Sequence, residues 1–110
     1  MSNKIKLVQG DTRPVMEITL SDEFTGAPID ITGATVRLKF RELGSETVRS
    51  TLVGINVSPA DGVVAFSWAD DADALAGDPG PYEAEIEITF SDSTIQTVYE
   101  KLKFYVREDF

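Results

Sequence analysis

The feature that most constrains this chain is an alternation of period two. In Ala34-Thr35-Val36-Arg37-Leu38-Lys39-Phe40-Arg41, the residues Ala34, Val36, Leu38 and Phe40 alternate with Thr35, Arg37, Lys39 and Arg41. Successive side chains of a strand point to opposite faces, so this run is a strand with one face buried and one wet. A helix would scatter the same apolar residues around its circumference. Tyr82-Glu83-Ala84-Glu85-Ile86-Glu87-Ile88-Thr89-Phe90 repeats the pattern. Its inner row is Tyr82, Ala84, Ile86, Ile88 and Phe90, and its outer row is Glu83, Glu85, Glu87 and Thr89.

Further segments follow the same rule. Residues 15–20 place Met16, Ile18 and Leu20 inside, and residues 62–68 place Val64, Phe66 and Trp68 on one side. Residues 99–107 put Leu102, Phe104 and Val106 inside, with Lys101, Lys103, Tyr105 and Arg107 outside. The weaker run 51–57 has Val53, Ile55 and Val57 on one face, and 5–8 and 94–98 are short candidate strands. Turn chemistry separates them: Gly10 to Pro14, Gly26 to Pro28, Thr32-Gly33, Leu43-Gly44-Ser45, Asp61-Gly62, Ser91-Asp92-Ser93 and Gly77 to Pro81. Asp61-Gly62 and Ser91-Asp92-Ser93 read as hairpin turns.

One segment departs from the pattern. Ala69-Asp70-Asp71-Ala72-Asp73-Ala74-Leu75-Ala76 is alanine-rich, has acids at its start and is followed by Gly77. Acids near an N-terminus and Gly after a C-terminus punctuate helices, so a single helical turn is expected near residues 70–76. Seven or eight short strands without alternating helices predict an all-β, antiparallel β-sandwich, a small closed barrel being the alternative. The 110 residues form one domain, 1–110. The basic row Arg37, Lys39, Arg41 and the acidic row Glu83, Glu85, Glu87 have matching spacing, which predicts a cross-strand ladder.

Composition excludes several functions. The net charge of −9 repels nucleic-acid phosphates and anionic lipids, so no nucleic acid and no membrane is expected as a partner. No apolar run approaches the roughly 18 residues of a membrane span, and residues 1–9 lack the hydrophobic core of a signal peptide. The chain is expected to be made in a host cytoplasm. It has no Cys and no His, which rules out disulfides, thiol catalysis, zinc–thiolate sites and the commonest general base and metal ligand.

The remaining candidate sites have structural explanations. Asp70, Asp71 and Asp73 offer carboxylates to a hard cation, but the segment lacks the glycine and final Glu of an EF-hand loop; helix capping explains them. Glu83, Glu85 and Glu87 share one flat solvated face, whereas a glycosidase pair spans a cleft. No catalytic residue, no cofactor and no metal site is expected. Trp68, the one tryptophan, shares the phase of Val64 and Phe66 and is assigned to the core. Phe24 and Phe110 fall outside the strand patterns and Asp78 lies in a loop; these three are candidate subunit contacts.

In order, the chain contains Gln9-Gly10-Asp11-Thr12, then Pro28-Ile29-Asp30-Ile31-Thr32-Gly33-Ala34-Thr35-Val36, then Asp61-Gly62-Val63-Val64, then Ala76-Gly77 followed by Pro81-Tyr82-Glu83-Ala84-Glu85. This order resembles the N-terminal domain of the phage baseplate upper protein family, over residues 9–107. The resemblance implies an Ig-like β-sandwich in the virion of a tailed phage. There it would anchor fibres or receptor-binding proteins at the tail tip, in a symmetric array with other virion proteins or as a homo-oligomer. Anchoring members continue into a coiled stalk, so a chain of this length is expected to act as a connector, adaptor or decoration subunit. A head fibre, a neck protein and a carbohydrate- or cell-surface-binding sandwich are the alternatives. The resemblance carries over no catalytic or ligand residue.

Overall fold

The structure of the protein, a computed structural model, describes residues 5–22, 24–98 and 101–109. Phe110, expected as a subunit contact, lies outside the described residues. The alternating segments become strands β1 (Ile5–Val8), β2 (Val15–Thr19), β3 (Thr35–Glu42), β4 (Ser50–Val53), β5 (Ile55–Ser58), β6 (Val63–Ser67), β7 (Gly80–Thr89), β8 (Ile95–Thr97) and β9 (Leu102–Arg107). They build two sheets: β2-β6-β5, and β1-β9-β7-β3-β4 with β8 also paired to β7. The sheets pack as a sandwich. In immunoglobulin lettering, the small sheet is B-E-D and the large one is G-F-C-C′, with β1 parallel to G along Ile5↔Phe104 to Val8↔Arg107. The Ig-like sandwich expected from the sequence is therefore the fold.

The core lies between the sheets. Val36, Leu38 and Phe40 of β3, Ile86 and Ile88 of β7, Phe104 of β9, and Val64 and Phe66 of β6 are all buried. Phe40 is its centre. It stacks on Tyr82 with ring centroids 4.7 Å apart and meets Trp68 at 4.9 Å and Phe104 at 5.3 Å edge-on. Offset-stacked and edge-to-face rings are favoured because the negative ring face meets a positive edge. Trp68 is fully buried, as its phase requires, and its Nε1 has no hydrogen-bond partner among the described residues.

Two details differ from the sequence-based expectation. The helical turn expected near 70–76 is a short 3-10 turn at Trp68–Asp70, and residues 71–76 run on mainly as turns and bends. The Ser67 side chain caps the turn by accepting from the Ala69 amide. The single weak strand expected over 51–57 is two strands, each in a different sheet. The chain crosses from β4 to β5 at Gly54, where an added Cβ would collide with Val64 and Phe66 side-chain atoms. Only glycine lets the backbone pass that close to the core. Val53, Ile55 and Val57 do point the same way along the chain, but outward, Val53 from the large sheet and the other two from the small one, exposed by 50%, 69% and 52%. The inward positions hold Leu52, Gly54 and Asn56, whose side-chain amide donates to the carbonyls of Ile31 and Ala34.

Candidate functional site

The cross-strand ladder forms in the register that its charges imply. Arg37 lies opposite Glu87, Lys39 opposite Glu85 and Arg41 opposite Glu83. Arg41 Nη2 reaches Glu83 Oε2 at 2.6 Å, and Lys39 Nζ reaches the diagonal Glu87 Oε2 at 2.9 Å. On the other side β9 supplies Lys103 Nζ to Glu83 Oε1 at 3.3 Å, with Lys101 at 3.9 Å from Oε2. Glu83, expected on a solvated face, is instead buried beneath these cations, its side chain only 6% exposed. Burial pushes its carboxyl up, but hydrogen bonds from Arg41 and Lys103 and the charges of Lys101 and Arg41 outweigh burial and hold it below its ordinary value. A carboxylate held ionised in this way cannot serve as a general acid near neutral pH. The glutamate row is a register device on a flat sheet.

Of Asp70, Asp71 and Asp73, expected to cap a helix, Asp71 ties the segment to the fold, while Ser67 caps the turn. Asp71 Oδ2 accepts a 2.6 Å hydrogen bond from Ser50 Oγ, tying the turn to β4, and Asp71 Oδ1 accepts from the Asp73 amide. Among the described residues no group of three or more acidic side chains is arranged to hold a metal ion.

The candidate contacts Phe24 and Asp78 lie at opposite ends of the sandwich. Thr35 pairs with Thr89 at one end of the β3–β7 ladder and Glu42 with Tyr82 at the other. Phe24 belongs to the 20–34 connection at the first end, and Asp78 to the loop entering β7 at the second. Phe24 is 97% exposed. The exposed Asp78 contributes its carbonyl to an internal hydrogen bond from Tyr82 Oη.

Two surface features were not read from the sequence. The first is the apolar row Val53, Ile55 and Val57, which wraps the side of the sandwich where β4 crosses into β5. Its alternation was visible, but not its direction. The second lies on the opposite side, between β2 and the β8–β9 break. Among the described residues β1 pairs only with Phe104–Arg107 of β9 and β8 only with Glu87–Thr89 of β7, so no strand lies beside the break between β8 and β9. A groove of about 290 Å³ opens there, lined by Ile18, Leu20, Ile86, Val98 and Leu102, with Asp22 also on its wall. A second hollow continues it past Asp22 to Phe24 and Ile29. No strand alone signals a groove, because its lining comes from both sheets.

No family model matches the chain, and no curated protein matches it either. Among solved structures the chain is similar to CopC from Methylosinus trichosporium OB3b, with a TM-score of 0.55 and 11% sequence identity, over 99% of this chain and 88% of that one. At that identity the likeness is one of fold, the β-sandwich.

Proposed function

We propose that this chain is a non-enzymatic structural subunit of a tailed-phage virion, a baseplate or tail-tip component that connects or anchors fibres or receptor-binding proteins. The order of segments resembling the baseplate upper protein family supports this reading. The observation that carries it is the row Val53, Ile55 and Val57, three large aliphatic side chains exposed along one side of the sandwich. Single exposed aliphatic residues are ordinary, but three in alternation along the β4–β5 crossing offer another protein an apolar surface. A sandwich with a covered side and charged faces builds rings or arrays by repetition of one contact.

Light scattering across a concentration series tests the proposal. A stable trimer or hexamer is expected, and Ile55→Asp should return it to a monomer without unfolding it. A monomer at every concentration, alone and with candidate tail proteins, would overturn the reading.

A further inference from the structure

Among the described residues the outer edge of β2, above the apolar groove, has unused backbone groups. The Leu20 amide donates to Gly62, and Ile29 and Asp22 bond to Leu20 and Ala27 on the same side. Hydrogen-bonding direction alternates along a strand. Met16 and Ile18 therefore turn toward β6, and Val15, Glu17, Thr19 and Ser21 turn their N–H and C=O groups outward. Among the described residues nothing pairs with that edge. A constant-type immunoglobulin sandwich carries its first strand here, beside B, whereas in this chain β1 lies beside β9.

An open edge over an apolar cleft is the geometry of strand addition, in which backbone bonds supply affinity and alternate side chains supply specificity. The charges identify the occupant. Glu17 sits mid-edge on the outer face, and no ion pair involves it among the described residues. Asp22 is the acidic residue in the lining of the groove. Two copies pairing β2 to β2 around Glu17 would place like charges side by side, which disfavours self-pairing.

We infer that the β2 edge receives an extended segment of a partner protein in which apolar residues alternate with Lys or Arg. The apolar side chains enter the groove beside Ile18 and Leu20 and against Ile86, Val98 and Leu102. A basic side chain lies outward beside Glu17. This inference rests on the assembly reading above and names the partner's chemistry. It uses the side of the sandwich opposite Val53 and Ile55, so the two can fail separately.

The test is hydrogen exchange of the full chain with a capped peptide of about seven residues alternating lysine and valine, one residue per position of the 15–21 edge. A peptide of identical composition, with its lysines and valines in two blocks, is the control for plain charge attraction. The alternating peptide is expected to slow exchange at the Glu17 and Thr19 amides by about tenfold or more, leaving Ile55 and Val57 unchanged. Glu17→Lys, at an exposed position that preserves the fold, should weaken binding about fivefold. Equal binding of both peptides without protection of β2 would overturn the inference and leave only charge attraction. Protection of Glu17 and Thr19 without peptide would also overturn it. If that protection is lost on deleting residues 2–4, the occupant is the chain's own N-terminal segment. If it grows with protein concentration, the occupant is a second copy.

Discussion

The Tyr82 hydroxyl donates a 2.6 Å hydrogen bond to the carbonyl of Asp78, four residues earlier, while its ring stacks on Phe40. The bond pins the loop entering β7 to the core, as a tyrosine does at the E–F corner of immunoglobulin-type sandwiches. Burial, joined by the nearby Glu42 charge, raises the phenol's pKa above its ordinary value.

Tyr82→Phe keeps the ring and removes the bond. It should cost about 1 kcal/mol, read as a melting temperature lower by several degrees at neutral pH. Because the folded pKa is raised, the contribution of the phenol is complete below its unfolded pKa of about 10 and fades as pH rises through the folded value. The variant should lack that alkaline component. Equal melting curves at neutral and alkaline pH for both proteins would refute the role.

Glu83 gives the opposite pH signature. Its folded pKa is lowered, so its contribution is complete above the unfolded value of about 4.3 and is lost as pH falls through the folded one. Glu83→Gln should cost about 2 kcal/mol at pH 7, since it removes a charged acceptor from Arg41 and Lys103. Chemical denaturation between roughly pH 5 and pH 2 should show a shallower loss of stability for the variant than for the parent.

Gly54 should tolerate nothing larger. Gly54→Ala forces a methyl group against Val64 and Phe66 and is expected to cost about 1–3 kcal/mol by overpacking. The midpoint of urea unfolding measures it. An unchanged midpoint would mean that the crossing between sheets shifts freely.

The phenylalanines separate core from surface. Phe40→Ala or Phe104→Ala should cost about 3–5 kcal/mol, a large share of a small domain's stability, because both rings are fully buried. Phe24→Ala should leave the melting temperature of the isolated chain within about 2 °C, its ring being 97% exposed. Comparable losses at Phe24 and Phe40 would contradict the packing described here.

The strands, their inward faces and the β3–β7 register were legible in the sequence, because a pleated backbone with one wet face imposes a period of two on any chain that forms it. Phe40, Phe66, Trp68 and Phe104 were assigned to the core on that basis, and all are buried. The pairing of Arg41 with Glu83 was visible as matching rows of opposite charge. The groove was not legible, since its lining residues come from β2, β7 and the β8–β9 segment, and each reads alone as an ordinary core position.

Local alternation thus determined which residues form strands and, for most of them, which side is apolar, since both depend on neighbours two positions apart. Tertiary structure alone decided the direction of Val53, Ile55 and Val57, because the crossing at Gly54 places their alternate neighbours Leu52 and Asn56 inside. It also decided that β1 lies beside β9, which among the described residues leaves the edge of β2 open. Strand partners are chosen by contacts between residues far apart in the chain, and a periodic pattern carries no information about them.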